Sequence, residues 1–211
     1  RAEENRIPTG ALLDPAGPSI PIGSMPLAMV MSPDSSRVLA LTCGFRDQGL
    51  VVVDPKARRV VQTLVQPSAF LGLCFAPNGR NLYVSGGGRD VIYSYTWSGD
   101  SAELTDSLSL GSLETSRRYP AGLAVSPDGR RLYVAENLSD SLAILDLETG
   151  TVRQLLHAGP YPYAVLVAPD GKVFVSVWGG SWVATYLPRS DGRLTPGKRI
   201  DVGRHPSAMA L

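Results

Sequence analysis

The chain has 211 residues, a formal net charge of +1, a hydrophobic fraction of 44% and a charged fraction of 18%. This balance excludes a disordered chain and gives no global field that would attract nucleic acid or an anionic membrane. The 22 glycines and 17 prolines suit many short strands joined by turns. No stretch reaches the roughly 18 apolar residues of a membrane-spanning helix, so we expect no membrane insertion. The length allows one large all-β domain or two small ones.

A short phrase recurs four times and defines an internal repeat. It reads Ser32-Pro33-Asp34 in the first copy, and the later copies occupy residues 76–79, 126–129 and 168–171. The prolines at 33, 77, 127 and 169 lie 44, 50 and 42 residues apart. This period is typical of the blades of a β-propeller.

Each repeat predicts four short strands, because β-branched and aromatic segments are bounded by turn residues. Strand A precedes the proline, at residues 28–31, 72–75, 122–125 and 164–167. Strand B follows the turn, at 38–41, 82–85, 132–135 and 173–176. Strand C is predicted at 50–54, 91–95, 142–146 and 182–186, and strand D at 60–65, 104–110, 152–156 and 199–202. No window has a convincing helical period.

The predicted fold is an all-β propeller of four-stranded antiparallel blades. A lone four-stranded meander cannot bury both of its faces, whereas radial stacking of blades does so. An immunoglobulin-like sandwich, the structural rival, would not explain four copies of one phrase at one period. Residues 1–18 are predicted to be an N-terminal extension, and residues 19–211 a partial propeller with repeats at about 24–66, 67–111, 118–159 and 160–203.

Both ends of the predicted propeller carry an orphan strand. Residues 19–22 resemble a strand D that enters the first repeat, and residues 206–211 resemble the strand A of a fifth. We therefore expect an incomplete part of a seven-bladed ring. Open blade ends expose unpaired edges and apolar faces, so self-association through them is expected of an isolated fragment.

Leu82-Tyr83-Val84, Leu132-Tyr133-Val134 and the segment 140–150 resemble the YVTN β-propeller repeat of bacteria and archaea. Residues 6–17, 70–73, 118–123 and 203–208 resemble one bacterial subgroup, in which an N-terminal propeller precedes a phosphoesterase domain of the alkaline phosphatase superfamily. The resemblance implies an exported protein, periplasmic or secreted, whose signal peptide has been removed. It also implies a catalytic domain beyond Leu211.

One rim of the propeller, formed by the B–C and D–A loops, is the predicted binding surface because its loops are less regular. Arginine and aromatic side chains are enriched in binding hot spots and pair or stack with anionic and aromatic ligands. The alternative is structural: the aromatic rings pack between blades, and the arginines pair with Asp47, Asp90, Glu136 and Asp140. The candidate binding residues are Phe45, Arg46, Arg89, Arg117, Arg118, Tyr119, Tyr161, Tyr163, Trp178, Trp182, Arg204 and His205.

No catalytic residue, metal site or cofactor is predicted. The two histidines, His157 and His205, lack a second ligand at a useful spacing. The loop with Glu136, Asn137 and Asp140 offers oxygen ligands for Ca²⁺, but a solvated turn is favoured because the ligands do not alternate. The Gly86–Gly88 run is read as a tight turn, since no helix follows it to bind phosphate. Cys43 and Cys74 are read as buried thiols in preference to a disulfide.

The sequence therefore predicts a non-catalytic binding scaffold of an exported bacterial protein, which recognises a protein, polymer or ligand through one rim. The alternative is the N-terminal propeller of a secreted phosphoesterase. A third interpretation stays open, in which the propeller is itself a lyase or hydrolase with residues lining the central channel. Nucleic acid is the less favoured partner, because a net charge of +1 gives a weak electrostatic footprint.

Overall fold

The computed structural model describes residues 17–45, 47–111 and 117–211. Within these ranges the only helix is a single 3₁₀ turn (Gly87–Arg89), and no helix is long and apolar enough to cross a membrane. The predicted N-terminal extension over residues 1–18 lies almost wholly outside them.

Four antiparallel sheets form the described part of the chain, and each follows the strand order of the sequence. Blade 1 contains β1 (Pro26–Met31), β2 (Val38–Cys43), β3 (Gln48–Asp54) and β4 (Arg59–Val65). Blade 2 contains β5 (Leu73–Phe75), β6 (Asn81–Ser85), β7 (Val91–Trp97) and β8 (Ala102–Ser109). Blade 3 contains β9 (Pro120–Val125), β10 (Arg131–Glu136), β11 (Ser141–Asp146) and β12 (Thr151–His157). Blade 4 contains β13 (Pro162–Val167), β14 (Val173–Val177), β15 (Trp182–Pro188), β16 (Leu194–Pro196) and β17 (Ile200–Asp201).

The blades are arranged as in a propeller, so the predicted all-β fold class is confirmed. Successive first strands contact one another, β1 with β5, β5 with β9 and β9 with β13, which makes them the innermost strands. Three apolar cores fill the spaces between neighbouring blades. In the first of these cores, Leu39 and Leu50 of blade 1 share a cluster with Tyr95 of blade 2. The blade faces that are directed toward a neighbouring blade are therefore buried, as radial stacking requires.

Blade 4 and the two chain ends differ from the predicted strands. In place of one strand D at 199–202, two short strands, β16 at 194–196 and β17 at 200–201, both pair with β15. Between them the Gly197 N–H donates to the Thr185 carbonyl (2.7 Å) and the Thr185 hydroxyl donates to the Lys198 carbonyl (2.6 Å), which replaces regular pairing. Residues 19–22 and 206–211 form no strand. A strand D needs the strand C of its own blade, and a strand A needs its strand B. The described residues contain no strand C to pair with 19–22 and no strand B to pair with 206–211.

Glutamine side chains join neighbouring blades at their outer strands. Gln62 on β4 donates to the Ala102 carbonyl (2.9 Å) and accepts from the Ala102 N–H (2.8 Å). Gln154 on β12 makes the same pair of bonds with Leu194 (2.9 and 3.0 Å). These amides satisfy the backbone groups at the start of the next blade's outer strand, which would otherwise lack a partner at that edge.

The recurring proline phrase forms the A–B turns on one rim. Asp34 accepts from the Ser32 hydroxyl (2.6 Å) and from the Ser36 N–H (3.1 Å), and the Arg37 N–H donates back to Ser32 Oγ (2.9 Å). The Ser32 hydroxyl and the Ser36 donors lower the pKa of Asp34 to about 2. These aspartates are therefore turn residues, and the B–C and D–A loops lie on the opposite rim.

Candidate functional site

A repeated backbone feature positions side chains on the rim of the B–C and D–A loops. Four residues that each directly precede a proline have a positive φ: 54° at Met25, 53° at Tyr119, 54° at Tyr161 and 56° at His205. The first three of these prolines begin the innermost strands β1, β9 and β13. Non-glycine residues seldom adopt this conformation, and such strain persists only where surrounding contacts hold it. The fold thus presents one side chain at the same place on this rim at the entry to blades 1, 3 and 4.

B–C loops hold these strained residues. Asp90 Oδ1 accepts from the backbone N–H groups of Arg118 (3.0 Å) and Tyr119 (2.8 Å). Asp140 Oδ1 accepts from the N–H of Tyr161 (3.2 Å) in the following repeat. Each aspartate therefore ties its own blade to the loop that enters the next one, and it does so through backbone donors.

Between blades 2 and 3 the rim is occupied by a buried ion pair. The Arg118 guanidinium lies 3.0 Å from Glu136 Oε2, and the Ser139 hydroxyl donates to the same oxygen (2.7 Å). Glu136 is fully buried, and burial raises its pKa while the Ser139 hydroxyl and Arg118 oppose that shift. The pairing of an arginine with Glu136 is thus structural. The expectation that Glu136 belongs to a solvated turn is wrong, because it ends a buried strand.

Arg117 and Tyr119 flank this ion pair. The Arg117 guanidinium donates to the Gly88 carbonyl, and the Tyr119 ring packs edge-on against Phe70 with centroids 5.0 Å apart. These contacts connect the loop to blade 2. We call this group the blade-3 lock, which comprises Phe70, Asp90, Arg117, Arg118, Tyr119, Glu136 and Ser139.

At blade 4 the same rim is aromatic. The Trp178 ring lies edge-on to Tyr161 (6.5 Å between centroids) and stacks on His205 (4.4 Å, 29° between planes). Tyr161 is 46% exposed and Trp178 41%. Together with Asn137 and Tyr163 they line a cavity of about 290 Å³, which we call the aromatic pocket. Large aromatic rings left this exposed next to one another are a feature of binding sites.

A second cavity is connected to Trp178 through His205, which lines the cavity and stacks on the Trp178 ring. It measures about 510 Å³ and is called the His205 pocket. Arg199 lies over the Trp182 ring (4.8 Å) and pairs with Asp201 (2.9 Å). The lining residues are Gly179, Gly180, Ser181, Trp182, Arg199, Asp201, Val202, Arg204 and His205.

The contact of His205 with Trp178 orients the imidazole. His205 Nδ1 lies 2.8 Å from the Trp178 carbonyl oxygen. A carbonyl only accepts, so Nδ1 carries the proton and Nε2 of the neutral ring is left as the acceptor. A histidine held in this way is equipped to take a proton from water or from a substrate hydroxyl.

A cavity of about 540 Å³ on the opposite rim has different chemistry. Arg130, Arg131 and Arg189 face three aspartates of the A–B and C–D turns. Those carboxylates already accept turn hydrogen bonds, as Asp128 does from Ser126 Oγ (2.5 Å) and from the Arg130 N–H (3.1 Å). Its charges are balanced and its acids are occupied, so it is a poor candidate for catalysis.

The predicted rim residues fall into separate groups. Arg117, Arg118 and Tyr119 belong to the blade-3 lock; Tyr161, Tyr163, Trp178, Trp182, Arg204 and His205 line the two blade-4 cavities. Phe45 and Arg89 are exposed on the loops of blades 1 and 2, and Arg46 lies outside the described residues. A ligand-binding role for any of them stays a prediction.

Sequence reasoning did not assign Asn137 or Arg199 to a ligand pocket. The available signal for the site was the X-Pro step that follows Met25, Tyr119, Tyr161 and His205. Asn137 follows β10 as Trp178 follows β14, so the register of the two blades would have placed them at equivalent positions.

Metal and thiol chemistry add little to the site. Over the described ranges, no group of three or more His, Cys, Asp or Glu side chains is arranged to hold a metal ion. Cys43 and Cys74 are both free thiols and are only partly buried.

Comparison with known proteins supports the β-propeller fold. The family model for the seven-bladed β-propeller lactonases matches residues 66–169, just under half of the chain. The chain is a β-propeller protein. Among curated proteins, the chloroplastic protein SUPPRESSOR OF QUENCHING 1 of Arabidopsis thaliana is 27% identical, over 49% of this chain and 13% of that protein.

Solved structures share the fold at low sequence identity. The periplasmic gluconolactonase of Pseudomonas aeruginosa has a TM-score of 0.70 and 21% identity, over 87% of this chain and 55% of its own. A candidate 6-phosphogluconolactonase of Bacteroides uniformis gives 0.70 and 20%, over 85% and 55%. Another from Bacteroides fragilis gives 0.70 and 18%, over 94% and 64%. The chain thus spans about half to two thirds of the length of these structures.

These findings correct the predicted function. The matched family is one of lactonases, which contradicts both the non-catalytic scaffold and the prediction that the chain is not an enzyme. The alternative, a propeller that accompanies a separate phosphoesterase, is contradicted with them, and the matches do not support the YVTN phosphoesterase subgroup. The physical reason is that propeller sites are assembled from loops of several blades. The contact of His205 with Trp178, for example, joins residues 27 positions apart in sequence, so no contiguous motif marks it.

Proposed function

We propose that the protein containing this chain is a lactonase, which hydrolyses the cyclic ester of a sugar acid. The observation that carries the proposal is the family match over residues 66–169. Those residues include the loops of the blade-3 lock and the tyrosines of the aromatic pocket. Two solved neighbours are described as gluconolactonase and candidate 6-phosphogluconolactonase, which supports a sugar lactone as the substrate class.

In this proposal His205 is the general base. A water molecule attacks the lactone carbonyl carbon, and Nε2 of His205 accepts its proton. The bond between the carbonyl carbon and the ring oxygen then breaks. The imidazolium returns the proton to the departing ring oxygen, and the product is an open-chain hydroxy acid. The Trp178 carbonyl supports this cycle, because it accepts from Nδ1 and so stabilises the positive charge of the intermediate imidazolium.

Arg204 supplies positive charge beside the base. It is adjacent to His205 in sequence and lines the same cavity. The oxygen of the lactone carbonyl gains negative charge as water adds, and a guanidinium near it favours that transition state over the ground state. Arg199 is less suited to this role, because its guanidinium already pairs with Asp201.

Hydrolysis of D-glucono-1,5-lactone by the full-length natural protein tests the proposal. We expect His205→Ala to lower kcat by about 100-fold or more, the usual contribution of a positioned acid–base group. The matched control is His157→Ala, which removes the other histidine of the chain from the exposed end of β12. The Tyr186 hydroxyl bonds only the His157 carbonyl, which this substitution keeps. An active protein in which both variants keep wild-type rates would refute the role of His205. Absence of lactone hydrolysis by the wild-type protein, with gluconolactone or its 6-phosphate, would refute the function itself.

We further propose that the protein acts outside the cytoplasm. The finer prediction of a periplasmic or secreted location is compatible with the neighbour from Pseudomonas aeruginosa that is described as periplasmic. Fractionation of cells that express the full-length gene is expected to place the protein in the periplasm or the medium, and recovery in the cytoplasmic fraction alone would contradict this.

A further inference from the structure

The aromatic pocket presents two kinds of surface to a ligand. Tyr161 and Trp178 offer exposed ring surface in an edge-on pair, and Tyr163 and Asn137 complete the lining. Asn137 is anchored, since its side-chain N–H donates to the Pro162 carbonyl (3.1 Å). The amide oxygen is therefore oriented away from that contact as a fixed hydrogen-bond acceptor. An apolar lining with one well-placed polar group is the usual design of a small-molecule site.

We infer that the aromatic pocket is a stacking subsite for the ring of a pyranose sugar, with Tyr161 and Trp178 as the stacking residues and Asn137 as the hydroxyl acceptor. A pyranose is apolar on the faces that carry its axial C–H bonds and polar at its hydroxyl edge. Polarised C–H bonds are attracted to the electron-rich face of an aromatic ring, and hydroxyls donate to a fixed amide oxygen. A flat apolar ligand would use the rings but leave the amide unused.

The charge distribution limits what the subsite holds. None of the four lining residues is ionisable to a cation, whereas arginines line the adjoining His205 pocket. An anionic substituent would be desolvated in the aromatic pocket without a partner, which is costly. The subsite therefore takes the uncharged ring. A carboxylate or phosphate group would bind in the His205 pocket, which Arg199 and Arg204 line.

Trp178 connects this pocket to His205, the proposed general base (4.4 Å between ring centroids). The choice of a sugar as the ligand therefore rests on the proposed function. The binding of a ring that cannot be hydrolysed can be measured independently of any activity. Methyl β-D-glucopyranoside is such a probe, since it keeps the pyranose faces and hydroxyls and has no ester.

Titration of the full-length protein with methyl β-D-glucopyranoside, followed by NMR, tests the subsite. We expect Tyr161→Leu to raise the Kd by about tenfold. The Kd of Tyr161→Phe should stay within about twofold of the wild-type value, because stacking needs the ring and not the hydroxyl. The matched control is Leu138→Ala, an exposed apolar residue of the loop that carries Asn137, and its Kd should equal the wild-type value. A Leu variant that binds like the wild type, or a Phe variant as weak as the Leu variant, would overturn the assignment. So would failure of the wild-type protein to bind the glucoside.

The two proposals fail separately. Glucoside binding that depends on the Tyr161 ring, in a protein without lactone hydrolysis, would uphold the subsite and refute the function. Lactone hydrolysis with a KM that Tyr161→Leu does not change would uphold the function and refute the subsite.

Discussion

The rim of blade 3 and the rim of blade 4 share one backbone and differ in chemistry. Tyr119 and Tyr161 each precede a proline, have φ of 53° and 54°, and are held by an aspartate of the preceding B–C loop. In blade 3 this frame encloses the buried pair of Arg118 and Glu136. In blade 4 the position of Glu136 is taken by Val177, which ends β14, and the exposed Trp178 follows it.

The difference separates a stabilising contact from a candidate binding surface at equivalent positions of two repeats. A buried arginine–glutamate pair that makes further hydrogen bonds fastens the loop and leaves little surface for a ligand. In blade 4, where the pair is missing, separate loops of the same rim present the exposed rings of Tyr161 and Trp178, with His205 stacked on Trp178. The repeated frame positions the side chains, and the residue that ends the second strand decides whether they lock blades together or line a pocket.

The largest expected effect comes from opening the blade-3 lock. Glu136→Ala leaves the Arg118 guanidinium buried without its carboxylate, and loss of one partner of a buried pair costs about 3 to 5 kcal/mol of unfolding free energy. Denaturant unfolding of the full-length protein measures it. Glu148→Ala, in an exposed turn of the same blade, is the control and should change stability by less than about 0.5 kcal/mol. A loss below about 1 kcal/mol for Glu136→Ala would mean that the pair does not hold the loop.

A matched pair of tyrosine substitutions sharpens the comparison. Tyr119 is partly buried against Phe70, whereas Tyr161 is half exposed beside the pocket. We expect Tyr119→Ala to cost about 2 kcal/mol more unfolding free energy than Tyr161→Ala, because more apolar surface is lost from packing. Denaturant unfolding measures both losses, and the midpoints can be compared directly if the free energy of unfolding depends equally on denaturant concentration in the two variants. Equal losses would show that the two positions contribute alike to stability.

The glutamine bridges predict a smaller, separable effect. Gln62→Ala removes two hydrogen bonds to Ala102 and should cost about 1 to 3 kcal/mol, since the backbone groups keep only partial access to water. It should leave the proposed lactone hydrolysis unchanged, because neither Gln62 nor Ala102 lines the aromatic pocket or the His205 pocket. An activity loss that equals the loss in His205→Ala would contradict the division between blade contacts and site.

The smallest expected effect is a pH-dependent change in stability at the A–B turn of blade 1. The pKa of Asp34 is lowered to about 2, so the stability it contributes is complete above its ordinary value of 3.8 and is lost as the pH falls toward 2. Blade 2 has Asn78 at the equivalent place, where its side-chain oxygen accepts the Arg80 N–H (2.9 Å). Asp34→Asn should therefore fold normally at pH 7 and lose less stability than the wild type between pH 5 and pH 2.5. An identical loss in both proteins would show that Asp34 does not titrate in this way.

The strands were predictable because the same pattern of strands and turns occurs in four copies along the sequence. The proline phrase fixes each A–B turn, and β10 and β11 pair over residues 131–136 and 141–146 close to the predicted limits. The last strand of blade 4 was not predictable, because the interruption at Gly197 depends on side-chain bonds from Thr185 of the neighbouring strand. Charged and aromatic rim residues were recognised as a set. Their division into a lock and a pocket was not, since burial of Glu136 depends on its contact with Arg118, 18 residues away.

The proposed enzymatic function was missed for a related reason. Sequence reasoning searched for ligands or nucleophiles close together, and a propeller brings its groups together from separate loops. His205 is oriented by the backbone carbonyl and the ring of Trp178. Every residue has a backbone carbonyl, so the sequence does not show which one a histidine will contact.

The most direct test of the blade-4 site is a crystal structure of the full-length protein with D-glucono-1,5-lactam, an unreactive analogue of the lactone. The account predicts the lactam ring over Tyr161 and Trp178, with its carbonyl in the pocket of His205 and Arg204. A lactam bound instead on the opposite rim, among Arg130, Arg131 and Arg189, would contradict it.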